Sequence, residues 1–332
     1  IILFIVVYLS TAGVETDRLN NKIKNRVNQI NNSLDLDLKK IRFTLDPLKL
    51  KIYAKTKSTI VFSSKRTLSL EYIKSEFSIS SLIKNKFSFS NIEVTTSSIS
   101  LDDFISFVRL TNNKPQLFLL EKIVKKGHII VNLSLNLDED GNIKNDYEIN
   151  GLVKNANIDF LNQSKIENIN FNFNLKHDYY NFDDIKFKFE NIKFNSEILE
   201  IKKKKNLFQV KGSVNNSQSN LDIRLLKLLN LNFKNLNLEE VKFLSTNNFT
   251  LEIDNKFKIK NIILNSDVNI SRLKYKRPKI IQSYFLDINE SILLEDHKLK
   301  INYKKNNLIL NGKGKIQLDK ELDEIKYFIN KK

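Results

Sequence analysis

The sequence predicts a mainly β protein: an elongated antiparallel sheet curled along one greasy face, with an N-terminal membrane helix and a few short helices. Three observations carry this. Apolar and polar residues alternate with a period of two from about Leu34 to Leu318. No series of amphipathic helices accompanies the alternation, so the pattern supplies no second layer for the apolar side. The alternating segments number about 18 to 20, and open twisted sheets rarely exceed about ten strands without curling or splitting. At ~4.8 Å per strand, 18 strands in one sheet would extend roughly 85 Å. A β-sandwich or two, a closed barrel and a curled open trough are the available ways to shield such a face.

The chain starts with IILFIVVYL at Ile1–Leu9, then Thr11, Ala12, Gly13 and Val14. This charge-free stretch of about 14 residues is shorter than the roughly 20 that a spanning helix needs. There is no methionine, even at position 1, so the stretch reads as a partial transmembrane helix over residues 1–14, continued from a longer reading frame. A signal-peptide core with its small-residue site near Ser10–Gly13 is a second reading, and a buried segment a third. Arg18, Lys22, Lys24 and Arg26 follow, opposed by Glu15 and Asp17. By the positive-inside rule this flank belongs in the cytoplasm.

Val14, Leu19, Ile23, Val27, Ile30 and Leu34 recur at spacings of three to five, which predicts an amphipathic helix over 15–33. It would lie on a membrane or cap the first strands. A first β-module over 34–112 follows. Leu36, Leu38, Ile41, Phe43 and Leu45 run to the turn signal Asp46-Pro47. Leu48, Leu50 and Ile52 answer on the return strand. Ile60 and Phe62, then Leu68, Leu70 and Tyr72, continue the meander. Ile79–Lys84 reads as a short helical insertion. Phe87, Phe89, Ile92 and Val94 resume the sheet. Asp102–Leu110 reads as a helix with Asp102 as N-cap.

An extended β region is expected over 113–318. Asp140-Gly141 is a hairpin signal. Ile169, Phe171, Phe173 and Leu175 alternate strictly, as do Ile185, Phe187 and Phe189. Phe194, Phe208, Leu251, Phe257, Ile301 and Leu310 continue the apolar set. The run Lys202–Lys205 reads as a hairpin tip, and Asn311-Gly312 as an interruption of the last strand pair. Leu221–Leu229 fits helix or strand. Leu322, Ile325 and Ile329 predict a C-terminal helix over 319–332.

The net charge is +17, which favours solubility and attraction to anionic surfaces. Lys, Asn, Ile, Phe and Tyr are all abundant and all have AT-rich codons, so compositional drift accounts for the charge at least as well. The basic residues are scattered, and the phenylalanines sit on the apolar side of the alternation. Neither suits a nucleic-acid stripe, so no nucleic-acid partner is expected. Cysteine is absent, which excludes disulfides, thiol nucleophiles and thiolate metal sites. His128, His177 and His297 have no metal-ligand spacing. The sequence lacks G-x-S-x-G, Walker and G-x-G-x-x-G signatures. Asp183-Asp184 and Asp138-Glu139-Asp140 read as polar turns. Neither catalysis, a cofactor nor a metal is expected.

The order of parts resembles the AsmA-like superfamily of envelope proteins, the AsmA, TamB and YhdP group. The shared layout is an N-terminal membrane helix, a short helix and a first β-module with an Asp46-Pro47-Leu48 turn. A small helical insertion at Ser78–Asn85 and long meandering strands complete it. Gly127–Phe160 is most similar to the YhdP branch. The resemblance implies a bridge-like lipid-transfer protein with a taco-like groove, anchored in the bacterial inner membrane with its bulk in the periplasm. Membrane phospholipids would be its cargo and other envelope proteins possible partners. A β-scaffold for outer-membrane protein assembly, without lipid transport, is the alternative. Non-directional burial of acyl chains, about 0.8 kcal/mol per CH₂, would permit sliding. The lining expected from the alternation is Phe43, Leu50, Phe87, Phe89, Ile169, Phe171, Phe173, Ile185, Phe187, Phe189, Phe194, Phe208, Leu251, Phe257, Ile301 and Leu310. Lys186 and Lys188 would face outward by parity.

Overall fold

In a computed structural model, 71% of the described residues are strand. The structure describes residues 2–62, 66–79, 89–112, 114–138, 142–160, 164–221, 238–256, 258–277 and 289–331. These residues form 18 strands in open antiparallel ladders and four short helices. The insertion expected at Ile79–Lys84 and the turn at Asp140-Gly141 lie almost wholly outside the described residues. So do Phe87, Phe257 and nearly all of Leu221–Leu229.

The chain divides into two compact units. The first comprises residues 1–158 and 172–177, the second residues 159–171 and 178–332. The first unit begins with α1 (Ile2–Thr11), β1 (Val14–Thr16) and α2 (Asn20–Ile30). No helix among the described residues is long and apolar enough to cross a membrane. The apolar run forms the ten-residue α1, which gives way to β1 at Gly13, a residue with φ +70 held against the Phe43 carbonyl. The amphipathic segment is likewise shorter than its periodicity suggested. Val14–Thr16 is drawn into antiparallel pairing with Ile41, Arg42 and Phe43, leaving α2 about three turns.

The sheet of the first unit is built on β4 (Lys51–Phe62), whose one edge pairs with β2 (Leu34–Leu38) and β3 (Ile41–Asp46) in tandem. The chain jogs at Lys39-Lys40, where Thr56 Oγ1 donates to the Lys39 carbonyl. On its other side β4 pairs with β5 (Arg66–Ser78), and β5 with β6 (Phe89–Thr96). β6 and the short β7 (Ile99–Ser100) share β8 (Val124–Asn136), which pairs with β9 (Glu148–Phe160).

Between β7 and β8 lie α3 (Leu101–Thr111) and α4 (Pro115–Ile123). The cap of α3 is Ser100, whose hydroxyl accepts from the Asp103 amide at 3.1 Å. Asp102, expected as the cap, instead sits in the first turn facing Arg66 at 3.4 Å. α3 buries Ile105 and sets Phe107 edge-on to Phe62, ring centroids 5.6 Å apart. Phe62, Leu68, Leu70, Ile99, Val131 and Val153 are buried in the same unit. The helix α4 was not expected. Pro115 at its first position and the apolar run after it start a helix that the strand-like reading of this region passed over.

The strand β10 (Ser164–Lys176) is divided between the units. The rest of the second unit is a meander of β11 (Tyr179–Phe189), β12 (Ile192–Lys204), β13 (Leu207–Asn220), β14 (Leu238–Asp254), β15 (Ile259–Lys276), β16 (Ser291–Lys304), β17 (Asn307–Gln317) and β18 (Leu322–Lys331). Each of these strands pairs antiparallel with the next.

Two expectations fail at the C-terminal end. Residues 322–331 form the strand β18 rather than a helix. Their Tyr327, Phe328 and Ile329 favour a pleated surface, and β17 offers a complete ladder to pair with. Asn311-Gly312 does not interrupt the strand pair. It lies within β17, and the turn falls at Lys305-Asn306, where both residues have positive φ. Gly312 lies under the Tyr327 ring, which a Cβ at this position would have to displace.

Candidate functional site

Directly paired residues in an antiparallel ladder share a face, so the register fixes what lies where in the second unit. Starting at β11, Phe187 pairs with Phe194, and Phe182 with Leu199. Phe194, Leu199 and Ile201 pair in turn with Asn216, Gly212 and Val210. Val210, Gly212, Val214 and Asn216 pair with Leu251, Phe249, Asn247 and Ser245. Leu251, Phe249, Asn247 and Ser245 meet Ile262, Leu264, Ser266 and Val268. Leu264, Ser266 and Val268 continue to Tyr303, Ile301 and Leu299, and these to Leu308, Leu310 and Gly312. One apolar face therefore runs without a break from β11 to β17, and Leu310 carries it on to Ile329 of β18.

The face survives a set of irregularities that ought to invert it. Shifting a strand by one residue turns its side chains over. The apolar residues of β15 step from Ile270 to Leu273, an odd spacing, yet Ile270 pairs with Phe243 and Leu273 with Val241 on one side of β14. In β16, Leu294 and Leu299 pair with Ile316 and Gly312 of β17. The register shifts between Glu295 and Lys298 absorb the odd step. Similar shifts lie between Asn195 and Leu199 and between Asn216 and Ser219. Asp184 and Asp296 have φ 54 and 48, a left-handed conformation that Asp tolerates better than most residues. Asp183-Asp184 thus lies within a strand, where a polar turn was expected.

Next to these shifts the apolar face carries a polar seam. Ser245 Oγ donates to Asn216 Oδ1 at 2.6 Å. Asn247 Nδ2 donates to the Val214 carbonyl at 2.7 Å and to Ser245 Oγ at 2.8 Å. Ser266 Oγ donates to Asn247 Oδ1. The hydroxyl and amide donors of the seam are consumed within it, so it adds no unpaired donor to the face. At β16, His297 is 1% exposed and hydrogen-bonds Tyr327 OH through Nε2 at 2.9 Å. The two rings stack at 5.5 Å. His297 Nδ1 has no hydrogen-bond partner and lies against Gly314, where a Cβ would approach it to 2.5 Å. Burial holds the His297 pKa below the usual imidazole value and raises that of Tyr327.

Burial separates two parts of this face: in β11–β13 Phe189, Ile192 and Val210 are buried, as in an ordinary core, and further along they give way to a different order. Among the described residues of β14–β18, the buried side chains are Ser245, Ser266 and His297, all polar. The rows of Leu, Ile, Phe and Tyr around them remain half-buried. No helix among the described residues belongs to this unit. A hollow of about 490 Å³ is lined by Glu200, Lys211, Ser213, Asn248, Thr250 and Asn265 of the opposite side together with the apolar Ile198, Ile263 and Phe249. It differs from the apolar rows in carrying charges of both signs, Glu197, Glu200 and Lys211.

Of the expected lining residues, Ile185, Phe187, Phe189, Phe194, Phe208, Leu251, Ile301 and Leu310 share the apolar face. Phe171 joins them through an edge contact with Phe182 at 5.8 Å, and Ile169 by alternation. Phe173 belongs to the first unit, where it is buried against Gly151. Phe43 is half-buried on β3 of that unit. Phe89 opens β6. Leu50 is misplaced by the alternation. It is 62% exposed with φ 51 in the turn before β4, beside Leu48 at 96%. Asp46 Oδ1 accepts from the Leu48 and Lys49 amides at 3.1 Å, and this Asx turn lengthens the loop past Pro47. Lys186 and Lys188 lie opposite the phenylalanines, paired with Asn195 and Lys193. Sequence reasoning missed the polar seam, although Ser and Asn at apolar-phase positions 245, 247 and 266 marked it. No family model, curated protein or solved structure matches this chain.

Proposed function

We propose that the second unit binds lipid acyl chains along its apolar face, and that the protein carries phospholipid between membranes as a membrane-anchored component of a bacterial envelope. One observation carries the binding reading. In β14–β17 the apolar side chains of this face form continuous rows that stay half-buried, Ile329 of β18 is 47% exposed, and the buried side chains are polar. A sheet side of this kind loses its contact with water when acyl chains lie on it, at about 0.8 kcal/mol per CH₂. The saturated seam of Asn216, Ser245, Asn247 and Ser266 lets the chains pass without meeting an unpaired donor.

The anchor reading rests on α1, where Leu3, Phe4 and Val7 are 78%, 76% and 52% exposed. Such a helix suits an apolar medium. The periplasmic location, the curled trough and the direction of the reading toward phospholipid transport come from the resemblance to the AsmA-like envelope proteins.

The test is extraction of the full chain in mild detergent followed by mass spectrometry of co-purifying lipid, with photo-crosslinking residues at Phe187 and Phe249. Phospholipid adducts at both positions are expected, and none at Lys211 on the opposite side. Protein-only adducts with no co-purifying phospholipid would replace this reading with a dry assembly scaffold.

A further inference from the structure

The helix α4 of the first unit is turned inside out. Its one acidic residue, Glu121, points inward, accepting from Ser106 Oγ at 2.7 Å and pairing with Arg109 at 2.6 Å. Arg66 Nη1 donates to the same Ser106 hydroxyl at 2.6 Å. With Glu121 held in and Val124 buried just beyond the helix, Leu119 lies on the far side of the helix from Glu121, and Phe118 and Leu120 flank it in solvent. Phe118, Leu119 and Leu120 are 47%, 59% and 37% exposed. An amphipathic helix on an ordinary soluble surface has the reverse order.

The surroundings are basic. Lys114, Lys122, Lys125 and Lys126, which flank the apolar run in the sequence, are exposed. Lys122 Nζ lies 4.4 Å from the Phe118 ring centroid, and the Arg109 guanidinium 5.9 Å from it. Lys125 Nζ donates to the Lys122 carbonyl at the helix C-terminus. An exposed Phe-Leu-Leu run inside a collar of lysines combines the two terms that hold an interfacial helix on a bilayer. These are burial of apolar side chains at the headgroup boundary and attraction to anionic lipid.

We propose that α4 docks on the surface of a bilayer carrying anionic phospholipid, with Phe118 and Leu119 inserted at the acyl boundary and the lysine collar against the headgroup phosphates. This contact goes beyond the acyl-binding face of the second unit and does not depend on it.

The cysteine-free sequence allows one environment-sensitive probe per molecule, on the full chain carrying Leu119→Cys, Leu3→Cys or Lys57→Cys. On phosphatidylglycerol vesicles the probe at 119 is expected to shift to the blue and to be quenched by spin-labelled lipid. On phosphatidylcholine vesicles it stays aqueous, and the Lys57 probe stays aqueous on both. Adding Lys122→Gln and Lys125→Gln should move the equilibrium at 119 about 30-fold toward the aqueous form, at roughly 1 kcal/mol per lysine. The Leu3 probe reports α1 separately, so membrane attachment through α1 cannot stand in for docking of α4. A probe at 119 that stays aqueous on anionic vesicles while the Leu3 probe inserts would overturn the proposal. So would a probe at 119 already shielded without vesicles, by self-association. Loss of co-purifying phospholipid with the 119 signal intact would count against the acyl-binding face alone.

Discussion

The two units use the same alternating sequence pattern to different ends. In the first, α3 lies on the sheet and Phe62, Leu68, Ile105 and Val131 are buried together. In the second, Phe189, Ile192 and Val210 are buried in β11–β13, but the apolar rows of β14–β17 run as regularly and stay half-buried, and the side chains withdrawn from solvent in β14–β18 are Ser245, Ser266 and His297. Alternation reports that a strand has an apolar side, and it is silent about what that side meets. Small hydrogen-bonded residues beside the register shifts keep the second face continuous without filling it. A unit that closed on itself would have large apolar residues at those positions.

This contrast breaks most sharply at Phe62, which is 2% exposed. Phe62→Ala should destabilise the first unit by about 3–5 kcal/mol in urea unfolding. A cost below about 1 kcal/mol would mean that the first unit, too, has no packed core. Gly312→Val tests the second unit at a close approach of two strands, since the added atoms meet the Tyr327 ring. The expected loss is about 1–3 kcal/mol, confined to β17 and β18 in hydrogen exchange. Protection lost in β4 and β5 as well would show that the units do not unfold separately.

The polar seam comes next. Ser245→Ala removes the donor to Asn216 Oδ1 and an acceptor of Asn247 Nδ2. The expected cost is about 1–2 kcal/mol, with Ser245→Thr milder if its hydroxyl keeps the same partner. An unchanged midpoint in both variants would mean that the seam is solvated and not a fixed part of the face.

What could be read from the sequence divides along the same line. Strands β11–β14, β16 and β17 were legible because Phe187, Phe194, Leu251 and Ile301 keep strict phase with their neighbours, whereas β15 was passed over. The register shifts left a trace as well, in apolar residues three apart at Phe182 and Ile185 or Ile270 and Leu273. Their meaning required the partner strand, because one strand alone cannot distinguish a bulge from a change of face. The helix α4 and the strand β18 were not legible. Both are short apolar segments whose state depends on what they pack or pair with, Glu121 with Arg109 in one case and β17 in the other. Leu50 failed for a local reason, an Asx turn that runs beyond its proline.

His297 separates the units by pH. Its folded pKa is depressed by burial, so the unfolded chain binds the proton first as pH falls. Stability contributed by the neutral ring is complete above the ordinary histidine value, about 6.5. It declines as pH drops from there toward the folded pKa. Unfolding of the second unit should show this slope, and His297→Phe should abolish it. A slope that persists in the variant would assign the effect to other groups.

The smallest stability effect carries the most information about function. Leu251 and Leu310 are half-buried on the apolar face and lack a covering layer among the described residues. Replacing either with Asn removes little that the folded protein already holds, so each variant should lose less than about 1 kcal/mol. The pair together, Leu251→Asn with Leu310→Asn, should sharply reduce co-purifying phospholipid, because two amides would then lie in the path of the acyl chains without partners. Stability and lipid binding would thus respond in opposite order to Phe62→Ala, which unfolds the first unit without touching the proposed lipid face. If the Asn pair instead costs as much stability as Phe62→Ala, that side of the second unit is a dry core, and the difference between the two units disappears.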